Sequence, residues 1–358
     1  MALEQPASIA DELLEQLPAS PEVYPQKLDL IRDAALFVRL DAASYRAASF
    51  LDDRILGPAT QGAWLPLDVV RDAAQRVRNG RPVHFIFHTG HVGSTLVSRL
   101  LDEMDGVLPL REPLPLRTLA EAHDVLAEPE SLLSDTQFGR YLALFMTLWS
   151  RSHDATRCIV LKATSSAGRL AVPILACSAK SKAIYMNLRA EPYLAALLAG
   201  QNSPMDLRGH GQGRMRRLQA RVVVPLTPLH ALTLGELAAM SWLSESWTQD
   251  EAVAQHPDKV IALDFDRFLA NVEECMGRIL SHFELSHDSR QLSGLARSPV
   301  LARYSKAPEF AYTPAERTEI INQSRLANRQ EIRKGMTWLG QLAKSDPAIA
   351  DVVNRSDR

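Results

Sequence analysis

Short apolar runs rich in β-branched and aromatic residues recur along the chain at long intervals. The predicted strands are 83–88, 107–110, 158–162, 183–188 and 260–265. The intervals are too long for hairpins and carry helical patterns, which indicates strands joined by helical crossovers. Such crossovers are right-handed, so we expect a three-layer α/β/α architecture with a mainly parallel central sheet. Ligands of these sheets bind at the carboxyl ends of the strands.

Apolar stripes with helical spacing lie between the predicted strands. Three of them run through residues 96–104, 237–247 and 272–283. In each, the apolar positions repeat on one face of a helix. We interpret these stripes as core-facing helices without a cofactor role.

The first eighty residues differ from the rest of the chain because prolines break their helical pattern. We predict that residues 1–80 form an irregular helical extension packed on the core. Residues 81–340 are predicted to form the α/β domain, and residues 341–358 a C-terminal tail. Residues 1–16 mix acidic side chains with short apolar pieces, so we expect no signal peptide.

Composition narrows the range of functions. The 358 residues include 40 basic and 42 acidic side chains, with a formal charge of −2, so nothing draws the whole chain to nucleic acid. Any anion site must be local. No run approaches the roughly 20 apolar residues of a membrane span. Cys158, Cys177 and Cys275 show neither disulfide nor zinc spacing, and we expect a reducing, cytoplasmic compartment.

The most informative stretch begins at the end of the first predicted parallel strand, in residues 83–96. A strand, a turn containing Gly90 and Gly93, and the start of a helix follow one another, which is how phosphate cradles are built. Ser94 and Thr95 add hydroxyl donors. No lysine precedes Ser94, so the loop does not fit the Walker pattern. The same stretch would also fit a plain strand-to-helix turn capped by Ser94 or Thr95.

With these residues the chain resembles the sulfotransferase superfamily. The phosphosulfate loop of that family reads lysine or arginine, serine, glycine, serine or threonine, threonine and leucine. The order and spacing agree over about residues 83–310. The corresponding segments are His91-Val92-Gly93-Ser94-Thr95-Leu96, Leu110-Arg111-Glu112-Pro113, a strand ending in Lys162, Leu188-Arg189-Ala190-Glu191-Pro192, and Leu263-Asp264-Phe265-Asp266-Arg267-Phe268.

The resemblance implies a P-loop-like sulfotransferase fold and 3′-phosphoadenosine 5′-phosphosulfate (PAPS) as the sulfuryl donor. It further implies that the loop grips the 5′-phosphosulfate and that Arg189 and Lys306 bind the nucleotide. The loop residues are Gly90, His91, Val92, Gly93, Ser94 and Thr95. The sequence departs from the family at His91, where a lysine or arginine is usual. It also departs at Leu197, where a serine usually meets the 3′-phosphate.

Three residues are candidates for catalysis. Glu112 is the predicted base, and Lys162 and His91 are predicted to stabilise charge on the transferring group. Alternatives remain for Glu112, Lys162 and the nucleotide-binding Arg189: Glu112 pairs with Arg111 or Arg117 or caps a turn, Lys162 is a surface lysine, and Arg189 pairs with Glu191. The arginines between 214 and 221 fit either an anion site or a solvated helix face.

The predicted function is therefore transfer of a sulfuryl group from PAPS to an unidentified acceptor, without a metal. Small molecules, glycans and peptides all fit as acceptors, through a hydroxyl or an amine. Two alternatives stay open. One is a small-molecule kinase using ATP and magnesium, with Asp264 or Asp266 as the weak metal candidate. The other is a nucleotide-binding protein of this fold without turnover. The oligomeric state is not predicted.

Overall fold

The computed structural model describes residues 8–356, so the predicted N-terminal extension and C-terminal tail are seen without residues 1–7 and 357–358. The expectation about a signal peptide falls partly on residues outside the described range. The strands are β1 (Val23–Asp29), β2 (Ala34–Arg39), β3 (Gly62–Pro66), β4 (Val83–His88), β5 (Val107–Arg111), β6 (Cys158–Lys162), β7 (Ala183–Asn187) and β8 (Val260–Asp264). The helices are α1 (Ile9–Gln16), α2 (Ala42–Ala47), α3 (Leu67–Ala74), α4 (Ser94–Asp102), α5 (Leu114–His123), α6 (Asp135–Trp149), α7 (Ala171–Cys177), α8 (Ala190–Leu198), α9 (Ser203–Gly209), α10 (Gly211–Gln219), α11 (Leu234–Gln255), α12 (Phe265–Ala270), α13 (Val272–His282), α14 (Ser289–Ala296), α15 (Pro314–Ala327), α16 (Arg329–Ser345) and α17 (Pro347–Ser356).

The main sheet has five strands in the order β5-β6-β4-β7-β8. It is parallel and flanked by helices, which confirms the predicted α/β class. Every residue of β4, β5 and β6 is buried. Parallel strands covered on both faces read as continuous apolar runs, which explains why these three were visible in the sequence.

The prediction of an irregular helical region before residue 80 is wrong for much of that region. β1, β2 and β3 form a separate antiparallel sheet in that order. The prolines were misleading because Pro25 lies inside β1, next to an irregularity in the register between Pro25 and Lys27. Proline is tolerated in sheets at such irregular places.

The chain divides into two compact units. The first contains the residues up to Ile86 together with Val97–Lys182. In it, the buried Arg151 donates to the backbone carbonyls of Leu17, Ser20 and Val23 at 2.8–3.0 Å, which ties the start of the chain to the end of α6.

The second unit contains Phe87–Leu96 and the residues from Ala183 onward. Its centre is α11, which packs closely against α16 where Gly235 faces Gly335. A Cβ at Gly235 would overlap the backbone of Glu331, so the two helices approach only because both positions are glycine. The predicted tail region continues as the end of α16 and as α17.

Candidate functional site

The loop that joins β4 to α4 has an unusual backbone. Gly90, His91 and Gly93 adopt φ values of +105°, +55° and +69°. Left-handed residues in a tight turn direct successive amides to one side and form a concave anion site. The first turn of α4 follows at Ser94 and adds the positive end of its dipole. The backbone of this loop is therefore suited to an oxyanion.

The first amide of the loop is used within the protein. The Gly90 N–H donates to Nδ1 of the buried His88 at 3.1 Å. His84, two residues earlier in β4, likewise accepts the Lys182 N–H at Nδ1, at 3.2 Å. Both histidines thus have backbone partners. Gly90 contributes the shape of the turn rather than its N–H.

Gly93 is required by packing as well as by its φ. A Cβ at this position would overlap the ring of Phe265, the residue that follows β8. Phe265 is buried and lies beside Phe268, with ring centroids 6.3 Å apart. The carboxyl end of β8 therefore supports the loop that follows β4.

Two threonine hydroxyls near the loop lack hydrogen-bond partners. Thr89 and Thr95 are buried, and within the described part of the chain neither Oγ1 atom has a partner. An unpaired buried hydroxyl costs about 1–3 kcal/mol, so such groups usually have a reason. The oxygens of a phosphosulfate would accept from Thr95 at the start of α4. These residues therefore fit the 5′ end of PAPS.

Arg189 caps α8 and is held near the base of this loop by backbone contacts. The Thr89 N–H donates to the Met186 carbonyl at 3.0 Å, and the Tyr193 hydroxyl donates to the Thr89 carbonyl at 3.1 Å. The last residues of β7 and the first turn of α8 are thus attached to the residue that precedes the loop. The side chain of Arg189 is exposed.

The alternative interpretation of Arg189 as the partner of Glu191 is wrong. Glu191 instead receives two hydrogen bonds from Arg325, at 2.9 and 2.8 Å. Arg189 makes no ion pair with the residues that the structure describes. An exposed and unpaired guanidinium at a helix N-terminus is available to an anion.

The other positions predicted to bind the nucleotide differ from one another in how exposed they are. Lys306 is exposed in the segment between α14 and α15 and has no ion pair within residues 8–356. Leu197 is buried in α8, so the position where the family has a phosphate-binding serine faces the core. His91 points an exposed side chain from the loop. Val92 is buried and anchors the loop.

In the first unit, Glu112 and Lys162 form an ion pair at the ends of β5 and β6. Lys162 is 1% exposed and Glu112 18%. The Glu112 N–H also donates to the Lys162 carbonyl at 2.7 Å. Glu112 has φ +57°, a conformation that costs a side-chain-bearing residue free energy and is found at functional sites. The alternative interpretation of Lys162 as a surface lysine is wrong.

The alternative partners of Glu112 are engaged elsewhere. Arg111 is fully buried and bonds Asp102 at 2.9 Å and the Ser98 hydroxyl at 3.0 Å. Arg117 pairs with Glu121, one helical turn along α5. Of these three cations, only Lys162 therefore pairs with the carboxylate of Glu112.

The arginines of α10 do not form a solvated face. Arg214 is buried and Arg217 is 11% exposed. Arg217 binds the buried Glu245 of α11 at 2.8 Å, and Arg214 lies 3.8 Å from the same carboxylate. The interpretation as a solvated helix face is wrong because α10 packs on α11. The composition of α10 does not reveal this contact.

The structure thus brings together Glu112 and Lys162 in the first unit. In the second unit it brings together the loop, the start of α8 and Phe265. Sequence reasoning missed Phe265, because an apolar residue after a strand carries no chemical signal. It also missed the hydroxyl of Tyr193, which holds the loop base.

Two further properties concern the described residues only. No group of three or more histidine, cysteine, aspartate or glutamate side chains among them is arranged to hold a metal ion. Within residues 8–356, no helix combines the length and the apolar character needed to cross a membrane.

No family model and no curated protein matches this sequence. Several solved structures are similar to it. A sulfotransferase domain from the curacin biosynthetic pathway is 11% identical and covers 74% of this chain and 99% of its own, with a TM-score of 0.40. Mouse sulfotransferase SULT7A1 complexed with PAP is 8% identical and covers 76% and 88%, with a TM-score of 0.39.

Sulfotransferase STF9 from Mycobacterium avium is 11% identical and covers 91% of this chain and 98% of its own, with a TM-score of 0.35. All three are sulfotransferases. At these TM-scores and identities, the likeness assigns no activity, cofactor or acceptor to this chain.

Proposed function

We propose that this protein is a sulfotransferase that uses PAPS. The observation that carries the proposal is the β4–α4 loop. It combines three left-handed residues, the start of a helix and the unpartnered buried hydroxyl of Thr95. This arrangement binds an oxyanion without a lysine.

In this proposal, the loop amides and the hydroxyls of Ser94 and Thr95 bind the 5′-phosphosulfate. Arg189 and Lys306, which have no ion pairs within the described residues, bind the nucleotide phosphates. PAPS supplies the sulfuryl group, and the protein holds the leaving phosphate oxygens as their charge grows.

Glu112 is proposed to take the proton from the acceptor hydroxyl or amine as the oxygen or nitrogen bonds to sulfur. The ion pair with Lys162 orients its carboxylate. Lys162 and His91 are the proposed cations for the sulfuryl oxygens. The acceptor is a small molecule, a glycan or a peptide. Within the described residues the three cysteines form no disulfide with one another, and a cytoplasmic location is part of the proposal.

The kinase alternative has little support in the residues at the end of β8 and the start of α12. Asp264 caps α12 by accepting the Arg267 N–H at 2.8 Å, and Asp266 pairs with Arg317 at 2.8 Å. Both carboxylates that could hold magnesium therefore have other partners. No metal is part of the proposal.

Titration calorimetry tests the proposal directly. The wild type should bind PAP at micromolar concentrations without a divalent metal, and more tightly than ATP with magnesium. Replacing Ser94 and Thr95 by alanine removes two charge-assisted hydrogen bonds of about 1.5–3 kcal/mol each, so PAP affinity should fall at least tenfold. Ser289→Ala, an exposed serine on α14, is the control. Absence of PAP binding, or tighter binding of ATP with magnesium, would sink the proposal.

A further inference from the structure

A short segment, residues 48–54, lies beside the Glu112–Lys162 pair of the first unit. The amine of Lys162 is 5.8 Å from the ring centroid of the half-buried Phe50. The guanidinium of Arg54 is 3.7 Å from the same centroid and therefore covers one face of the ring. Phe50 thus brings apolar surface next to the proposed catalytic pair.

The buried Arg111 fixes this segment in place. Arg111 directly precedes the proposed base, and its Nη1 donates to the carbonyls of Arg46 and Ala48 at 3.0 and 2.9 Å. In return, the Leu51 N–H donates to the Arg111 carbonyl at 2.6 Å. Phe50 lies between these two attachments. Its position relative to the end of β5 is therefore set by hydrogen bonds on both sides.

Three cations around the segment already have carboxylate partners. The pairs are Lys162 with Glu112, Arg54 with Asp52, and Lys27 with Asp53. A charged ligand would have to break one of these pairs or lie beside a charge of its own sign, and both cost free energy. The charges around Phe50 therefore favour an uncharged ligand.

A cleft of about 230 Å³ opens in the same unit, between β1 and the first turns of α5. It is lined by Lys27, Leu28, Leu114, Arg117, Thr118 and Glu121. Its polar side chains are engaged within the protein, because the Thr118 hydroxyl donates to the Leu114 carbonyl and Arg117 pairs with Glu121. Leu114 comes two residues after the proposed base. The cleft therefore leaves room for a ligand close to Glu112 without supplying an unpaired charge.

We propose that the acceptor is an uncharged hydroxyl compound with an aromatic body, and that Phe50 selects it by contact beside the reacting hydroxyl. The inference rests on the proposed function and narrows its acceptor. The acceptor oxygen bonds to sulfur as the bond from sulfur to the leaving phosphate oxygen breaks, and the hydroxyl proton passes to Glu112. The aromatic body lies against Phe50 and extends toward the cleft, where ring contact adds to the gain from burial.

Three probes separate ring, charge and polarity: 2-naphthol, 6-hydroxy-2-naphthoate, which adds a carboxylate to the same rings, and N-acetylglucosamine. Calorimetry on the PAP-loaded wild type should show 2-naphthol binding about tenfold or more tighter than either of the others. Phe50→Ala should weaken 2-naphthol by about fivefold or more and leave PAP within about twofold. Leu132→Ala, at an apolar residue of the same unit that is 63% exposed, is the control and should change neither ligand.

Each outcome bears on a different claim. If the wild type binds no PAP, the proposed function fails and the acceptor site fails with it. If it binds PAP but not 2-naphthol, or binds either of the other probes more tightly, the acceptor class is wrong while the proposed function stands. Unchanged 2-naphthol affinity in Phe50→Ala would show that Phe50 does not select the acceptor. Phe50→Leu keeps an apolar side chain and should lose less affinity than Phe50→Ala, even if the alanine variant melts at a lower temperature.

Discussion

At the scale of single residues, His91 combines a left-handed backbone with an exposed side chain in the loop. Histidine and asparagine accept this conformation more readily than most residues. The position therefore suits a histidine for its backbone as well as for its charge. These two roles can be separated by substitution.

If a protonated His91 contributes to binding, PAP affinity should fall as pH rises from 6 to 9, because the bound state takes up a proton that the free protein has lost. An unperturbed histidine loses this proton at about pH 6.5. His91→Lys should flatten the decline, and His91→Asn should give weak, pH-independent binding on an unstrained backbone. Calorimetry across this pH range decides it. A His91→Asn profile that follows the wild type would show that the imidazole charge has no role.

At the same scale, the Glu112–Lys162 ion pair is expected to contribute to the free energy of unfolding. Glu112→Gln removes the carboxylate from a lysine that is 1% exposed, and should cost about 2–3 kcal/mol of the free energy of unfolding. Adding Lys162→Met should recover part of that loss, because it removes the buried charge. Urea unfolding of the two single variants and the double variant gives the coupling energy.

The exposed pair of Arg117 and Glu121 is a matched control, with side chains 45% and 56% exposed. The same cycle there should give about 0.3–0.5 kcal/mol. Strictly additive effects at Glu112 and Lys162 would mean that the pair is not coupled, and would remove the support it gives to a positioned base.

At the scale of elements, the strand–loop–helix from β4 to α4 depends on Gly93. Gly93→Ala adds a methyl group that overlaps Phe265 and forces an unfavourable φ, so it should lower stability by more than 1 kcal/mol and abolish PAP binding. Gly139→Ala in α6 is the control, because nothing lies within 4 Å of the added methyl. It should be neutral or stabilising by about 0.5–1 kcal/mol. Thermal melts and PAP titration report both. Retained PAP binding by Gly93→Ala would contradict the close packing of the loop.

Three of the strands that the sequence revealed have continuous burial. β4, β5 and β6 are buried at every position, and their runs of apolar residues needed no partner to be recognised. β1 was hidden because Pro25 and the polar Gln26 and Lys27 interrupt its pattern, although Gln26 is buried. Its strand character comes from pairing with β2, which is a tertiary effect.

The same division holds for the candidate site. The glycines and hydroxyls of the loop carry a local chemical pattern, and the sequence alone singled them out. The partners that fix their geometry, Phe265 and Tyr193, come from distant parts of the chain and look like ordinary core residues. The ion pair between Glu191 and Arg325 could not be predicted from the sequence either, because these residues are 134 positions apart.

At the scale of the whole molecule, the formal charge is nearly balanced, but the arginines fall into buried and exposed groups with different roles. Arg111, Arg151 and Arg214 are buried and serve internal carboxylates or carbonyls. Arg189 and Lys306 are exposed and have no ion pairs within the described residues. Cations are therefore available to an anion in a chain with a formal charge of −2. Among the described residues fewer carboxylates than arginines are buried. Asp250 of α11 is partly buried and lacks a good partner.

Burial raises the pKa of Asp250 to about 6, against the opposing effect of Arg355, which lies 3.3 Å away on α17 without hydrogen-bond geometry. The folded protein holds this proton more tightly than the unfolded chain does. The contribution of Asp250 to stability is therefore present below about pH 4 and is lost as pH rises through about 6.

Asp250→Asn removes the loss of stability that follows from ionisation of Asp250. The variant should therefore unfold at a higher temperature than the wild type at pH 8. The gain should be about 1–2 kcal/mol, because two units of pKa correspond to about 2.7 kcal/mol and the side chain is 19% exposed. Arg355 is 55% exposed, so hydration replaces its partner at little cost. The difference should shrink toward pH 4, where both side chains are neutral.

Asp351→Asn, an exposed neighbour, should change the melting temperature far less. Urea unfolding at pH 4, 6 and 8 measures the trend, and a wild-type advantage at pH 8 would show that the ion pair with Arg355 outweighs the cost of burying the carboxylate.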